Sequence, residues 1–269
     1  MVGVVACAGS LPACQSREMA LHAEPQAETT LTATASAAGS VPDQSRPAAV
    51  LELFTSEGCS SCPPADETLA QLTREAEASG RRVITLELHV DYWNYLGWVD
   101  PFSNEQYSWR QESYAHHFAA TGVYTPQLIV NGREQLVGSD GTGARAAIER
   151  ALAMPATAQV SFEAQRRGDG VDITYRVNAP GHAMLQLAAA DDAAETRVTR
   201  GENASLLLRH RHVVRAFHSV PVEGATSGAW HASWPAGKPR GGVFVAAYLT
   251  DPSTLSVLGA EERSLHPEG

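Results

Sequence analysis

From Ala48 to Pro155, short apolar runs alternate with segments of helical periodicity. The apolar runs are bounded by turn residues and predict buried strands at 50–54, 83–90 and 127–130. Apolar positions at helical spacing predict three helices, which begin at Cys59 or Cys62, near Ser103 and near Thr142. Asn131-Gly132 precedes a further run at 133–137 and predicts a hairpin with a type I′ turn. The predicted order is therefore β-α-β-α-β-β-α.

That order is the order of the thioredoxin fold, so residues 48–155 are predicted to form a thioredoxin-like α/β domain with a helical insertion. Ser103 and Gln106 match a capping box for the second helix, and Asp140 or Thr142 would cap the third. From Ala158 onward, short alternating runs replace the helical pattern. Six to eight strands without helical periodicity predict an all-β, sandwich-like domain over 156–265.

Composition agrees with a folded protein of two domains. The 269 residues are 43% hydrophobic and 19% charged, and no apolar run is long enough for a membrane-spanning helix. The net charge is −10, and the basic residues, almost all Arg, form no cluster. Nucleic-acid binding needs a concentrated positive face, so no nucleic-acid partner is expected.

Residues 1–47 are predicted to be an export segment followed by a disordered tether. Leu11-Pro12-Ala13-Cys14 resembles a bacterial lipobox, in which the cysteine is lipidated. No Lys or Arg precedes Cys14, and a start codon placed too far downstream would account for this. The expected location is the periplasm or, through a lipid anchor on Cys14, the cell envelope or outer membrane. Disulfides persist in such a compartment.

Cys59 and Cys62 form a C-x-x-C pair between the first predicted strand and the first helix. Both sulfurs are within disulfide reach there, and a helix N-terminus stabilises a thiolate. Cys59 is the expected nucleophile and Cys62 the resolving thiol. Glu57 and a helix that begins only at Cys62 would both weaken the acidity of Cys59. A structural disulfide and a metal site are the alternatives for this pair.

Thr125-Pro126 precedes the third predicted strand, where thioredoxin-like proteins keep a cis-proline that faces the dithiol. An X-Pro bond adopts the cis form at modest cost, and such a bond exposes backbone that can pair with an extended substrate. Thr125 and Pro126 are therefore predicted to align the substrate. No cofactor is predicted.

The insertion at 92–124 holds ten of the chain's 18 aromatic residues. They would form either an apolar rim that grips polypeptide or a small core for the inserted helix. Several residues suggest copper or zinc ligands, namely His89, Asp91, His116 and His117. A structural role is favoured for these residues, and no metal site is predicted. His210 and His212 alternate on a predicted strand, and they are expected at the surface.

Three stretches carry a family resemblance: V-L-E-L-F-T-S-E-G-C-S-S-C-P-P-A-D, H-V-D-Y-W-N-Y-L-G-W-V-D-P-F-S and Y-T-P-Q-L-I-V-N-G. They closely resemble secreted bacterial proteins of domain-of-unknown-function family 1223, over about residues 48–262. The resemblance implies a thioredoxin-like domain in an exported protein, with Cys59, Cys62 and Pro126 at the thioredoxin-type positions. It implies no substrate.

These observations favour an exported thiol–disulfide oxidoreductase whose partners are protein thiols or disulfides, or a redox partner protein. In this hypothesis Cys59 attacks a substrate sulfur and Cys62 releases the product. A periplasmic binding protein for a soft metal such as Cu(I), held by both thiolates and His89, is a second hypothesis. The third is a non-catalytic module in which the disulfide only staples the start of the helix.

Overall fold

One β-sheet contains strands from both halves of the chain. The computed structural model describes residues 46–235, 239 and 241–266. The strands in this part of the chain are β1 (Ala49–Thr55), β2 (Val83–His89), β3 (Gln127–Val130), β4 (Glu134–Val137), β5 (Gln159–Arg167), β6 (Gly170–Arg197), β7 (Leu207–Ser233), β8 (Val243–Thr250) and β9 (Val257–Leu265). The helices are α1 (Pro63–Ser79), α2 (Glu105–His117) and α3 (Gly141–Leu152), with a 3-10 turn at Asn94–Leu96. The predicted lipobox and most of the predicted tether lie outside the described residues.

The strand order across the sheet is β4-β3-β1-β2-β7-β6-β8-β9, and β5 pairs with β6. The two halves of the chain join where β7 runs parallel to β2, with Glu87 opposite Val213. The prediction of a thioredoxin-like α/β domain followed by a separate all-β sandwich is therefore wrong. The fold is a mostly β, mixed sheet of nine strands with three helices among the described residues.

The two-domain prediction failed because strands far apart in the sequence pair with each other, and local sequence patterns do not indicate such pairing. Every residue of β2 is buried, and its second edge is covered by β7. Strands β6 and β7 have 28 and 27 residues, and their pairing shifts register at two points. Such irregularities bend a strand, so one long hairpin can serve both parts of the sheet.

The helices pack on opposite faces of β1. Alternate residues, Leu51 and Leu53 among them, pack in the core that contains α1 and α3. Phe54 and the residues on its side of the strand pack with Tyr107 and Tyr114 of α2 and with β8. This second core therefore contains residues from both halves of the chain. A third core lies among β5 to β9.

Several local predictions concern helix and turn ends. Asn131 and Gly132 have φ of 49° and 65°, as the predicted type I′ turn requires. Asp140 caps α3 by accepting a hydrogen bond from the Gly143 N–H at 2.9 Å. The predicted cap of α2 is wrong by one residue: Asn104, not Ser103, accepts from the Gln106 N–H. The Ser103 hydroxyl instead donates to the Asp100 carbonyl. None of the helices described has the length and apolar character needed to cross a membrane.

Candidate functional site at the disulfide loop

Cys59 and Cys62 form a disulfide in the loop between β1 and α1, with their Cα atoms 5.4 Å apart. Tight backbone hydrogen bonds shape this loop, from Cys59 N–H to the Ser56 carbonyl at 3.1 Å and from Cys62 N–H to the Cys59 carbonyl at 3.2 Å. Cys62 is the N-cap residue of α1, because proline occupies the first helical positions and lacks the N–H that goes unpaired there. The helix thus starts immediately after the disulfide.

Thr125 lies against the disulfide, and its peptide bond with Pro126 is cis. The Thr125 carbonyl oxygen is 3.9 Å from Cys59 Sγ and accepts a hydrogen bond from the Ser61 hydroxyl at 3.5 Å. The Thr125 hydroxyl accepts from the Trp93 indole N–H at 2.7 Å. The structure thus places Thr125 beside the disulfide. The catalytic roles assigned to Cys59, Cys62, Thr125 and Pro126 stay predictions.

The disulfide is buried, and a segment from the second half of the chain is hydrogen-bonded to its loop. Cys59 is 1% exposed and Cys62 is 0% exposed, although the two serines between them are exposed. This segment is 198–206, which connects β6 to β7, and we call it the cover segment. Its Asn203 side chain donates to the carbonyl groups of Glu57 and Cys59, both at 2.9 Å. Its Glu202 carboxylate accepts from the Ser60 N–H at 3.1 Å. Sequence patterns gave no sign of this contact.

Beneath the disulfide loop lies a cluster of six buried ionisable side chains, which we call the acid–histidine cluster. Its members come from five separate segments of the chain and are Glu57, Asp66, Glu87, His89, Asp100 and His210. Among the described residues, no Arg or Lys side chain forms a salt bridge with the four carboxylates. The two imidazole rings lie edge to face, with their centroids 4.8 Å apart.

The outer atoms of the cluster have hydrogen-bond partners. His89 Nδ1 is 2.7 Å from the Asp100 carboxylate, and His210 Nε2 is 3.3 Å from the Glu57 carboxylate. Glu87 Oε1 accepts from the backbone N–H of Arg211 at 3.2 Å. The other Glu57 oxygen, Oε2, accepts from the Trp98 indole N–H. These contacts fix the orientation of both rings and of the Glu87 carboxylate.

The inner atoms of three of these side chains are buried and have no hydrogen-bond partner: Glu87 Oε2, His89 Nε2 and His210 Nδ1. Glu87 Oε2 is 3.1 Å from His210 Nδ1 and 3.7 Å from His89 Nε2. All three lie within 4.8 Å of one another. Buried polar atoms without partners are rare in folded proteins.

Burial and mutual charge shift the protonation of the cluster. Burial, reinforced by the Glu87 carboxylate, raises the pKa of Asp66 to about 7. Burial alone would lower the pKa of His89, but the Asp100 carboxylate outweighs it and raises that pKa to about 9. The pKa of His210 also lies well above its usual value, because hydrogen bonding and nearby carboxylates outweigh burial.

The predicted surface position of His210 and His212 is wrong, since they are 2% and 4% exposed. His116 and His117 are exposed on α2 and lie outside the cluster. One signal could have revealed the cluster. Glu87 and His89 alternate with leucines in a strand whose only other polar residue is Thr85, so both point to the same buried side.

The aromatic residues of the insertion serve more than one purpose. Tyr107 and Tyr114 are 1% exposed and lie in the core, whereas Tyr95 and Trp109 are exposed. As described above, the Trp93 and Trp98 indoles donate hydrogen bonds to residues of the site. The aromatic segment therefore supplies core packing and also fixes the disulfide loop.

The fold and the site together define a mostly β protein with a covered disulfide above buried acids and histidines. The chain belongs to the DUF1223 family, described as "Protein of unknown function", whose model matches residues 50–249. The family resemblance deduced from the sequence is thereby confirmed. No curated protein matches the chain.

A solved structure supports the same grouping. The crystal structure of protein AGR_C_4864 from Agrobacterium tumefaciens is 30% identical to this chain, with a TM-score of 0.60. The match covers 81% of this chain and 95% of that one. The human F-spondin reeler domain is 16% identical over 40% of this chain and 87% of its own, with a TM-score of 0.20. That score is too low to indicate a shared fold.

Proposed function

We propose that the protein is a thiol–disulfide oxidoreductase that uses Cys59 and Cys62. The observation that carries the proposal is the position of the disulfide, directly at the N-terminus of α1 and below two exposed serines. A helix N-terminus favours the thiolate form of a nearby cysteine, and the thiolate is the form that attacks a disulfide. Cys59 Sγ lies 3.3 Å from the hydroxyl of the exposed Ser61, so Cys59 is the proposed nucleophile.

The small loop closed by the disulfide also favours a role in thiol–disulfide exchange over a role in stabilising the fold. The two cysteines are only three positions apart. Chain entropy gives a cross-link of this size about 2 kcal/mol of stabilisation, compared with about 5 kcal/mol for a loop of roughly 100 residues. The Cys59–Cys62 disulfide therefore contributes little stability to a sheet of this size.

The proposed reaction conserves atoms and electrons. The Cys59 thiolate attacks one sulfur of a substrate disulfide, and the other substrate sulfur leaves as a thiolate. The Cys62 thiolate then attacks Cys59 Sγ, which releases the second substrate thiolate and forms the Cys59–Cys62 disulfide. The substrate is reduced by two electrons and the protein is oxidised. The reverse sequence oxidises a substrate dithiol.

The proposed partner is a protein with thiols or a disulfide, or a redox partner protein. The Thr125 carbonyl beside Cys59 Sγ supports this, because a backbone acceptor there can pair with an extended polypeptide. Both cysteines are buried, so access requires the loop to open, and in this proposal the cover segment 198–206, which is hydrogen-bonded to the loop, moves away. Thr125 and Pro126 would align the partner once that segment has moved.

The proposal includes export, to the periplasm or to a cell-envelope membrane through a lipid on Cys14. The lipobox-like run and the disulfide support it, because disulfides persist in oxidising compartments. Fractionation of cells that express the full chain or its Cys14→Ser variant tests this. Export with an anchor places only the unsubstituted chain in the membrane fraction. Recovery of both chains in the cytosol contradicts it.

The central test is the reduction potential of Cys59–Cys62. The full chain with Cys7→Ser and Cys14→Ser is equilibrated in glutathione or dithiothreitol buffers, and its free thiols are then trapped. A value above about −200 mV indicates an oxidant or isomerase, and one near −270 mV or lower a reductant. A pair that stays oxidised and unreactive throughout leaves only the structural disulfide.

A matched pair of variants tests the cover. Asn203→Ala removes two hydrogen bonds to the disulfide loop, so we expect dithiothreitol to reduce the disulfide several-fold faster. Asn178→Ala, at an exposed position of β6, should leave the rate unchanged. Equal rates for both variants and the parent chain would mean that Asn203 does not hold the cover in place.

A further inference from the structure

We propose that Glu87, His89 and His210 bind a divalent transition-metal ion of the zinc type, at a site separate from the disulfide. The proposal rests on the three inner atoms of the acid–histidine cluster. They are fully buried, they face one another, and none has a hydrogen-bond partner. Two imidazole nitrogens and a carboxylate oxygen are a ligand set that zinc accepts.

The spacing of the inner atoms suits one ion. Zinc–ligand bonds of about 2.1 Å at the tetrahedral angle place neighbouring ligand atoms about 3.4 Å apart. Glu87 Oε2 is 3.1 Å from His210 Nδ1 and 3.7 Å from His89 Nε2. A single proton could bridge Glu87 Oε2 to only one of the two imidazole nitrogens. Neither nitrogen has a hydrogen bond to this oxygen. A single cation at the centre contacts all three atoms.

The outer contacts are those of metal-binding histidines. Such a histidine generally donates its second ring N–H to a carboxylate or carbonyl, which fixes the tautomer and the ring orientation. His89 contacts Asp100 in this way, and His210 contacts Glu57. In both rings the remaining nitrogen lies within 3.7 Å of Glu87 Oε2. The backbone N–H of Arg211 holds the other Glu87 oxygen.

The three protein ligands leave one position of a tetrahedral zinc site for water, and Asp66 lies beside them. Its Oδ2 atom is 3.9 Å from His210 Nδ1, while Oδ1 accepts from the Thr55 hydroxyl at 2.6 Å. Asp66 also lines a surface cavity of about 180 Å³ beside Leu208 and Arg209. The three buried ligands come from β2 and β7, so a bound ion would join the two strands at which the halves of the sheet meet.

The site differs from the copper site considered from the sequence, because no cysteine belongs to it. Its test is therefore made on the oxidised full chain with Cys7→Ser and Cys14→Ser, in which no free thiolate remains. The chelator-treated protein is titrated with Zn²⁺ against a chromophoric chelator. Co²⁺ is then substituted, because its visible absorption reports the coordination number. We expect about one ion per chain with four-coordinate absorption.

His210→Gln is the decisive variant, and His212→Gln, a buried histidine on the same strand outside the cluster, is its control. We expect His210→Gln to weaken Zn²⁺ binding by about 100-fold or more, and His212→Gln to leave it unchanged. If circular dichroism shows that His210→Gln is unfolded, Asp100→Asn replaces it. That variant should weaken binding by about 10- to 100-fold, because it takes the negative charge from the partner of His89.

Two results would overturn the proposal: no binding by the folded parent chain, or equal loss of affinity in the cluster variant and the His212→Gln control. Redox activity is not involved in either readout. A protein without thiol exchange can still bind zinc here, and an active oxidoreductase can lack the metal.

Discussion

The buried salt bridge between Glu52 and Arg110 gives a quantitative prediction. Arg110 Nε and Nη2 donate to the two oxygens of the Glu52 carboxylate at 2.7 and 3.1 Å. The hydroxyl groups of Tyr114, on α2, and Tyr248, on β8, also donate to this carboxylate. Glu52 is 2% exposed, so its charge depends on these donors.

We predict that Arg110→Met lowers the free energy of unfolding by about 3–5 kcal/mol, because it leaves the Glu52 carboxylate buried without its counter-ion. With a urea dependence of about 3 kcal/mol per molar, the unfolding midpoint should fall by about 1–1.7 M. The assay is urea unfolding of the oxidised chain, followed by circular dichroism and by tryptophan fluorescence. The Glu52→Gln/Arg110→Met double variant should recover part of the loss, because the unpaired charge is gone.

The control is Arg150→Met, which breaks the exposed Arg150–Glu134 salt bridge and should hardly change the midpoint. Equal shifts for Arg110→Met and Arg150→Met would refute the reasoning. The two probes should also report one transition, since a single sheet spans both halves. Separate transitions would mean that the halves unfold independently.

Two further predictions concern pH and packing. Burial raises the pKa of Glu262 from its usual 4.5 to about 7. This group therefore stabilises the folded state fully below pH 4.5, and that stability is lost as the pH rises through 7. Glu262→Gln should therefore raise the free energy of unfolding at pH 8 by up to about 3 kcal/mol and change little at pH 4. Gly132→Ala should lower the free energy of unfolding by about 2–4 kcal/mol, because φ is positive there and the new Cβ would collide with the Leu255 carbonyl.

Both predictions have matched controls in urea unfolding. Glu163→Gln, at an exposed position of β5, should not alter the pH dependence. A Glu262→Gln variant that follows the parent chain at both pH values would contradict the pKa argument. Gly122→Ala adds a Cβ in open space and should be nearly neutral. If Gly132→Ala is equally mild, the turn has room that the structure does not indicate.

Local elements could be predicted from the sequence because their signals are local. The apolar run of β1, the Asn131-Gly132 turn and the Asp140 cap each depend on a few neighbouring residues. The arrangement of the sheet could not be predicted in this way. It depends on β7 pairing with β2 rather than only with its own hairpin partner, and no short-range pattern reports that choice.

The same distinction between short-range and long-range features applies to the candidate site. The Cys59–Cys62 disulfide is a short-range feature, and the sequence spacing was sufficient to propose it. The acid–histidine cluster depends on long-range contacts, such as that between Glu57 and His210, which are 153 residues apart. A histidine on an alternating strand is usually exposed. Only the fold shows that His210 faces buried carboxylates.

The parallel contact between β2 and β7 also has a consequence for how the chain is made. Glu87 accepts a hydrogen bond from the backbone of Arg211, 124 residues further along. Synthesis proceeds from the N-terminus, so β2 emerges from the ribosome long before the strand that covers its edge. Meanwhile it is an apolar edge open to other chains. Pairing between strands that lie far apart in the sequence forms slowly during folding. A nascent chain of this protein should therefore depend on a chaperone until β7 has been synthesised.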